Sequence, residues 1–211
     1  MNTLYPLYLD LRDEPCLVVG GGEVAFRKSG PLLDGGASVT VVSPDPGSGV
    51  AGLEKAGRIR LERRPFRDDD LEGKRLVIAA TDDRNVNLAV SRGAARRRIL
   101  CNVVDDPDLC GFHVPAVVCR GDLKIAVSTG GKGPAFAASV RKQLETIFSE
   151  RHAKALRVLG DLRAALKRRD DLTVAERKSI LTRAVEGSHM RDFLEGKIPE
   201  LDPEKLSWPS R

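Results

Sequence analysis

The chain has 211 residues, 41% of them hydrophobic, and 35 Lys and Arg against 30 Asp and Glu, for a formal net charge of +5. That length and apolar content support one sizeable domain plus a smaller one, two or three structural units in all. No uncharged run is long enough to span a bilayer, and Met1-Asn-Thr-Leu-Tyr-Pro-Leu7 runs straight into Asp10, Arg12, Asp13 and Glu14 without a signal-peptide core, so a cytoplasmic protein with no membrane contact is expected. The basic balance leaves a polyanionic partner or an acidic small molecule to be weighed against plain solvated surface charge. Cys16, Cys101, Cys110 and Cys119 form no C-x-x-C pair, which argues against structural zinc or an iron–sulfur cluster, and no metal site is expected.

Leu7, Leu9 and Leu11 alternate with other residues and read as an edge strand or a lead-in lying on a sheet. Cys16-Leu-Val-Val is an apolar run that breaks into Gly20-Gly21-Gly22 and restarts at Glu23-Val24-Ala25 as a helix. Gly20-x-Gly22-x-x-Ala25 fits the dinucleotide fingerprint: the first Gly makes the turn, the second admits a pyrophosphate to bare backbone, and the small third residue lets helix and strand pack closely. A diphosphate would sit on the free N–H groups of the helix start, so Gly20, Gly22, Glu23 and Val24 are candidate cofactor contacts. The competing reading is a ligand-free Gly-rich turn.

Val24, Leu32 and Leu33 give this helix an apolar face, Gly35-Gly36 ends it, and Ala37–Ser43 follows as a β-branched strand, completing a βαβ unit. Ser43, Pro44 and Asp45 stand where an acidic residue usually meets the cofactor ribose; Asp45 is slightly late and reads equally well as a turn residue. No Arg follows directly to receive a 2′-phosphate, which favours NAD over NADP.

Arg58–Pro65 alternates apolar and charged residues as a half-exposed strand, and Arg75–Ala80 is an apolar run typical of a central parallel strand. Ala80, Thr81 and Asp82 lie at its carboxyl end, where a cofactor ribose would pass, while an Asp of this stretch would cap the next helix. Ile99–Val104 is the fifth strand and delivers Asp105 to the same edge as the glycine turn, which makes it the leading catalytic candidate; the plainer reading of Asp105-Asp106-Pro107-Asp108 is an acidic turn. His113 follows as a proton carrier or a structural His.

Beyond Pro115 the βα rhythm stops. Ala116–Val127 reads as an antiparallel hairpin around Arg120-Gly121-Asp122, and Ser128-Thr-Gly-Gly-Lys-Gly leads to a helix opening at Pro134 with Phe136, Val140, Leu144, Ile147 and Phe148 on one face. The loop lacks P-loop spacing. A hairpin and one helix cannot bury their own core, which suggests a dimerisation unit. Further helices carry an apolar stripe of Leu156, Leu159, Leu162 and Leu166 beside a basic surface including Arg151, Lys154, Arg157 and Arg163. Thr173-Val-Ala-Glu176 is a capping box, Gly187 closes that helix, Ser188 is a candidate cap for a last short one, and the tail from Pro199 reads as loosely held.

The blocks Cys16–Lys28, Ala79–Asp83, Cys101–Pro107, Phe112–Pro115 and Ile125–Lys132, in this order and over nearly the whole chain, resemble the precorrin-2 dehydrogenases of the siroheme-synthase N-terminal family. The resemblance implies NAD-dependent oxidation of precorrin-2 to sirohydrochlorin, with some members also inserting Fe2+, here a substrate and not a bound cofactor. It makes Asp105 the proposed acid/base. His113, Ser128, Thr129, Gly130 and Lys132 are the candidate substrate contacts, and Thr129 stands where some relatives have Ser. A tetrapyrrole with many carboxylates accounts for the basic helices better than nucleic acid does, since no helix-turn-helix or aromatic-interleaved signature is present. The expected architecture is an α/β chain with a Rossmann-type parallel sheet over 1–113, a small α+β homodimerisation unit over 114–149 and a helical domain over 150–211. The alternatives are an NAD(H)-sensing dimeric regulator and a dehydrogenase of an unrelated small acid.

Overall fold

Strands covered by helices on both faces need nearly continuous apolar sequence, and the central strands of this chain have it. The computed structural model describes residues 4–206. Strands β1 (Pro15–Val19), β2 (Ser38–Val42), β3 (Arg60–Glu62), β4 (Leu76–Ala79) and β5 (Leu100–Val103) form a parallel sheet in the order β3-β2-β1-β4-β5. Cys16, Val18, Leu76 and Ile78 point to one face and Leu17, Val19, Val77 and Ala79 to the other, all of them buried. The first face is covered by Ala25 and Leu32 of α1 (Glu23–Asp34) and Val50 of α2 (Ser48–Lys55), the second by Val90 and Ala94 of α3 (Arg84–Arg97).

Register decides where the loops emerge. Val19 pairs with both Val42 and Ala79, and Ala79 pairs with Val103, so β1, β2, β4 and β5 end level. Successive strands step outward from β1 through β2 to β3, whereas β4 and β5 lie on its other side. The crevice at that reversal, next to the end of β1, is where open α/β sheets bind ligands.

In this unit two details go beyond the sequence pattern. Residues 4–11 form no strand and serve as the lead-in: Leu9 and Leu11 pack on the core, while Leu7 is 62% exposed. After the Asp45-Pro-Gly47 turn the chain forms α2, a helix to which the sequence pattern assigns no element.

The chain divides into two units, Met1–Val114 and Pro115–Arg211. In the second, β6 (Ala116–Arg120) and β7 (Leu123–Val127) form the antiparallel hairpin, with Arg120 opposite Leu123 across the turn. Helix α4 (Pro134–Ile147) starts on proline, whose missing N–H costs nothing at a helix start. Helices α5 (Glu150–Lys167), α6 (Val174–Glu186) and α7 (Ser188–Leu194) enclose Leu162, Leu166, Ile180, Met190 and Phe193. Thr173 and Glu176 complete their capping box: Thr173 Oγ1 accepts from Glu176 N at 3.2 Å, and Glu176 Oε2 accepts from Thr173 N at 2.8 Å.

Here too details differ. Ala155 takes the buried place expected of Leu156, which is 39% exposed. Arg151 leaves the basic surface: its Nη1 donates to the carbonyls of Phe193 (3.1 Å) and Ile198 (2.9 Å), and its guanidinium lies over the Phe193 ring. Gly187, not Ser188, is the N-cap of α7. The tail is packed as far as Leu206, which is buried among the helices, while residues 207–211 of that expectation lie outside the described residues.

Phe193 is a fully buried aromatic ring with a cation above it. Phe193→Ala is expected to lower stability by about 3–5 kcal/mol, read as a drop in denaturant midpoint; a loss under about 1 kcal/mol would mean that the helical core does not depend on this ring.

Candidate functional site

The site begins where β1 stops. Gly20 is buried with φ of 126°, and its N–H donates to the Val42 carbonyl at 2.9 Å. A Cβ there would lie 2.7 Å from the Ala80 carbonyl carbon and closer still to its oxygen, so only glycine lets β1 turn this tightly against the end of β4. Gly21 is walled in from the other side: a Cβ would come within 2.8 Å of the Asp45 carbonyl oxygen and Pro46 Cα, and its own carbonyl accepts from Gly47 N at 2.9 Å.

Gly22 is different. It is the N-cap of α1, no side chain caps it, and a Cβ would meet no atom within 4 Å. The helical bonding begins with Phe26 N donating to Gly22 O at 3.0 Å, so the amides of Glu23 and Val24 lie ahead of it, at the positive end of the helix. Open space beside the amides of a helix start suits an anion such as a dinucleotide diphosphate, and a side chain at Gly22 would grow into that space.

Around this turn the other strand ends line up. Ser43 is buried, its amide donating to Glu62 O at 3.0 Å, while Pro44 and Asp45 are exposed. Arg63 and Arg64, just past β3, are both committed: Arg63 grips Glu54 through two bonds of 2.7 and 2.6 Å, and Arg64 grips Asp70 through two of 2.9 and 2.7 Å. Ala80 donates to Val19 O at 2.8 Å, Thr81 is half-buried and Asp82 exposed. Asp83 is the residue that caps α3, accepting from Asn85 N at 2.8 Å.

Asp105 is exposed and has a left-handed φ of 61°. Asp is among the few non-Gly residues that tolerate this conformation, at a cost met elsewhere in the loop. The sequence reading missed what meets it. The Cys110 thiol accepts from Val103 N (3.2 Å) and lies within donating distance of the carbonyls of Val103 (3.2 Å) and Asp106 (3.3 Å). Buried Asn102 donates to Phe112 O at 3.0 Å, Gly111 N to Cys101 O at 2.7 Å, and Ser91 Oγ to Leu109 O at 2.9 Å. The available signal was a polar Asn inside the apolar run Leu100-Cys-Asn-Val, which is stable in a buried strand only with partners of its own. Burial pushes the Cys16 thiol up to about 11 and Cys101 up to about 12, so both behave as small apolar groups rather than as nucleophiles.

His113 is half-buried near the end of the first unit. In the second unit, Ser128 and Thr129 fold their loop from within: Ser128 Oγ accepts from Gly130 N and Thr129 Oγ1 from Gly133 N, each at 3.2 Å, and Lys132 is exposed. Among the described residues no group of three or more His, Cys, Asp or Glu is placed to hold a metal ion, and no helix is long and apolar enough to cross a membrane.

Residues 7–116 match the family described as "Putative NAD(P)-binding", and residues 120–146 that described as sirohaem biosynthesis protein, central. The chain belongs to the putative NAD(P)-binding family. The siroheme synthase of Methylococcus capsulatus is 44% identical over 197 residues, covering 93% of this chain and 41% of the relative. That of Methylobacillus flagellatus is 48% identical over 169 residues, covering 80% and 36%. The chain thus spans about two fifths of the length of these relatives. The solved structure of SirC, a precorrin-2 dehydrogenase, superposes with a TM-score of 0.74 at 27% identity, covering 91% of this chain and 98% of that one. The NAD(P)-binding match takes in the parallel sheet with its glycine turn, and the sirohaem match runs from the end of β6 through most of α4.

The contrast between the glycines is testable by chemical denaturation. Gly20→Ala, strained in φ and blocked by Ala80, is expected to lose about 1–3 kcal/mol, whereas Gly22→Ala, in open space, is expected to lose less than about 1 kcal/mol. Equal losses would contradict the packing described for the turn.

Proposed function

We propose that this chain is an NAD-dependent dehydrogenase acting in the cytoplasm on precorrin-2 to give sirohydrochlorin. The observation that carries the reading is the combination of an open, uncapped α1 start at Gly22 with a carboxylate, Asp105, on the same sheet edge. Gly20, Gly22 and the amides of Glu23 and Val24 would hold the diphosphate, Ser43, Pro44 and Asp45 border the adenosine side, and Ala80, Thr81 and Asp82 border the path of the second ribose. NAD, when bound, supplies a hydride acceptor. Removing two hydrogens from the macrocycle then leaves one proton to be taken up, and Asp105 is the group proposed to take it. NAD is preferred to NADP because no arginine directly follows β2, and Arg63 and Arg64 at the end of the neighbouring strand are already paired with carboxylates. His113, Ser128, Thr129, Gly130 and Lys132 are proposed substrate contacts.

The second unit is proposed to form a homodimer. Within one chain α4 buries only Ala137, while Phe136 is 67% and Ile147 62% exposed, and Val117 of the hairpin adds to the uncovered apolar surface. Sedimentation at micromolar concentration is expected to give a dimer, and Phe136→Lys with Ile147→Lys is expected to shift it to monomer; a monomeric wild-type chain would remove the dimer from the reading.

The activity is tested by anaerobic incubation with precorrin-2 and NAD or NADP, following macrocycle spectra and NADH; Fe2+ in the same incubation tests chelation with the ion as substrate. Wild-type protein is expected to produce sirohydrochlorin faster with NAD. Asp105→Asn keeps the left-handed loop conformation accessible and is expected to retain NADH binding while losing turnover by about 10²-fold or more. Wild-type turnover in that variant would move the proton acceptor elsewhere.

A further inference from the structure

Among the described residues four polar side chains are buried, Ser29, Ser43, Asn87 and Asn102. Asn87 stands one turn into α3 and is 9% exposed. Its backbone N–H donates to Asp83 O at 3.0 Å as any helical amide would, but its side chain turns back on the segment that precedes the helix. Asn87 Nδ2 donates to the Thr81 carbonyl at 2.9 Å, and Asn87 Oδ1 lies 2.8 Å from Thr81 Oγ1, which is also 3.0 Å from the Asp83 carbonyl. The amide can face only one way, because the Thr81 carbonyl accepts and cannot donate. One side chain therefore holds both the backbone and the hydroxyl of Thr81.

Asn has no helical preference to explain its place in α3, and a buried amide costs stability unless both ends are bonded. The two bonds thus account for its presence. What they hold is the backing of the glycine turn: the Ala80 carbonyl and Thr81 N crowd the position of a Gly20 Cβ. From Asn87 through Thr81 and Ala80 to Gly20 the contacts are continuous, and the last of them sets how β1 turns into α1.

We propose that Asn87 is a positioning residue for dinucleotide binding, holding Ala80 and Thr81 in the shape against which the cofactor is bound. The proposal rests on the dinucleotide reading above. Asn87 itself, buried beneath Thr81, is not assigned a contact with the cofactor.

The test is NADH affinity of the full chain by fluorescence titration, with amide hydrogen exchange of the cofactor-free protein. Asn87→Ala is expected to weaken NADH binding by about tenfold, the effect of losing a well-made buried hydrogen bond, and to speed exchange at 80–83 without speeding it in β1. Thr81→Val, which keeps the carbonyl bond, is expected to weaken binding less, Thr81→Ser to restore it, and the Asn87→Ala/Thr81→Val double variant to be no weaker than Asn87→Ala alone. Arg97→Ala, which loosens the opposite end of α3 from Asp68, is expected to leave affinity unchanged. If Asn87→Ala fails to fold, the Thr81 pair decides: equal affinity in Thr81→Val and wild type would overturn the proposal. So would unchanged affinity in folded Asn87→Ala, or equal weakening by Arg97→Ala. A wild-type chain that does not bind NADH would overturn the dinucleotide reading, and the proposal with it.

Discussion

The close approach of Gly20 to the Ala80 carbonyl governs the working edge of the sheet. Parallel strands β1 and β4 are held in register by their ladder, and their ends leave the sheet at the same level. A side chain at Gly20 would force them apart. Because none is there, β1 bends at once into α1, the helix start opens at Gly22, and the loop after β2 closes down on Gly21 through the Gly47 amide. An anion site made from backbone donors depends on this placement, since backbone groups cannot reach out as side chains can.

Around that edge the structure satisfies its polar groups from behind. Asn87 ties the end of β4, while Asn102, Cys110 and Ser91 tie the loop that carries Asp105. Such networks are stabilising only when complete. Here they leave Asp105 exposed in a conformation most residues avoid, while the groups that hold its loop lie deeper.

Much of the positive charge is occupied. Arg63, Arg64, Arg96 and Arg97 are spent on Glu54, Asp70 and Asp68, and Arg151 on two carbonyls and an aromatic ring. The exposed pairs contribute little to stability each, but they decide which cations stay available. On α5 those include Lys154, Arg157 and Arg163, which project to solvent.

What the sequence determined by itself is the part of the fold written in local pattern. Near-continuous apolar runs gave four of the five parallel strands and apolar–charged alternation the other, glycine spacing gave the turn after β1, Thr173-Val-Ala-Glu176 gave a helix start, and Pro134 gave another. These signals are legible because each depends on residues a few positions apart. What only the tertiary structure decided depends on residues far apart in the chain. The register that levels β1, β2, β4 and β5, the packing of residues 4–11 as a lead-in and not a strand, the inward turn of Arg151, the exchange of Leu156 for Ala155 in the helical core, and the hold of Asn87 on Thr81 all follow from which surfaces meet. Periodicity shows that a residue has an apolar or a polar neighbourhood to satisfy; only packing shows which distant group satisfies it.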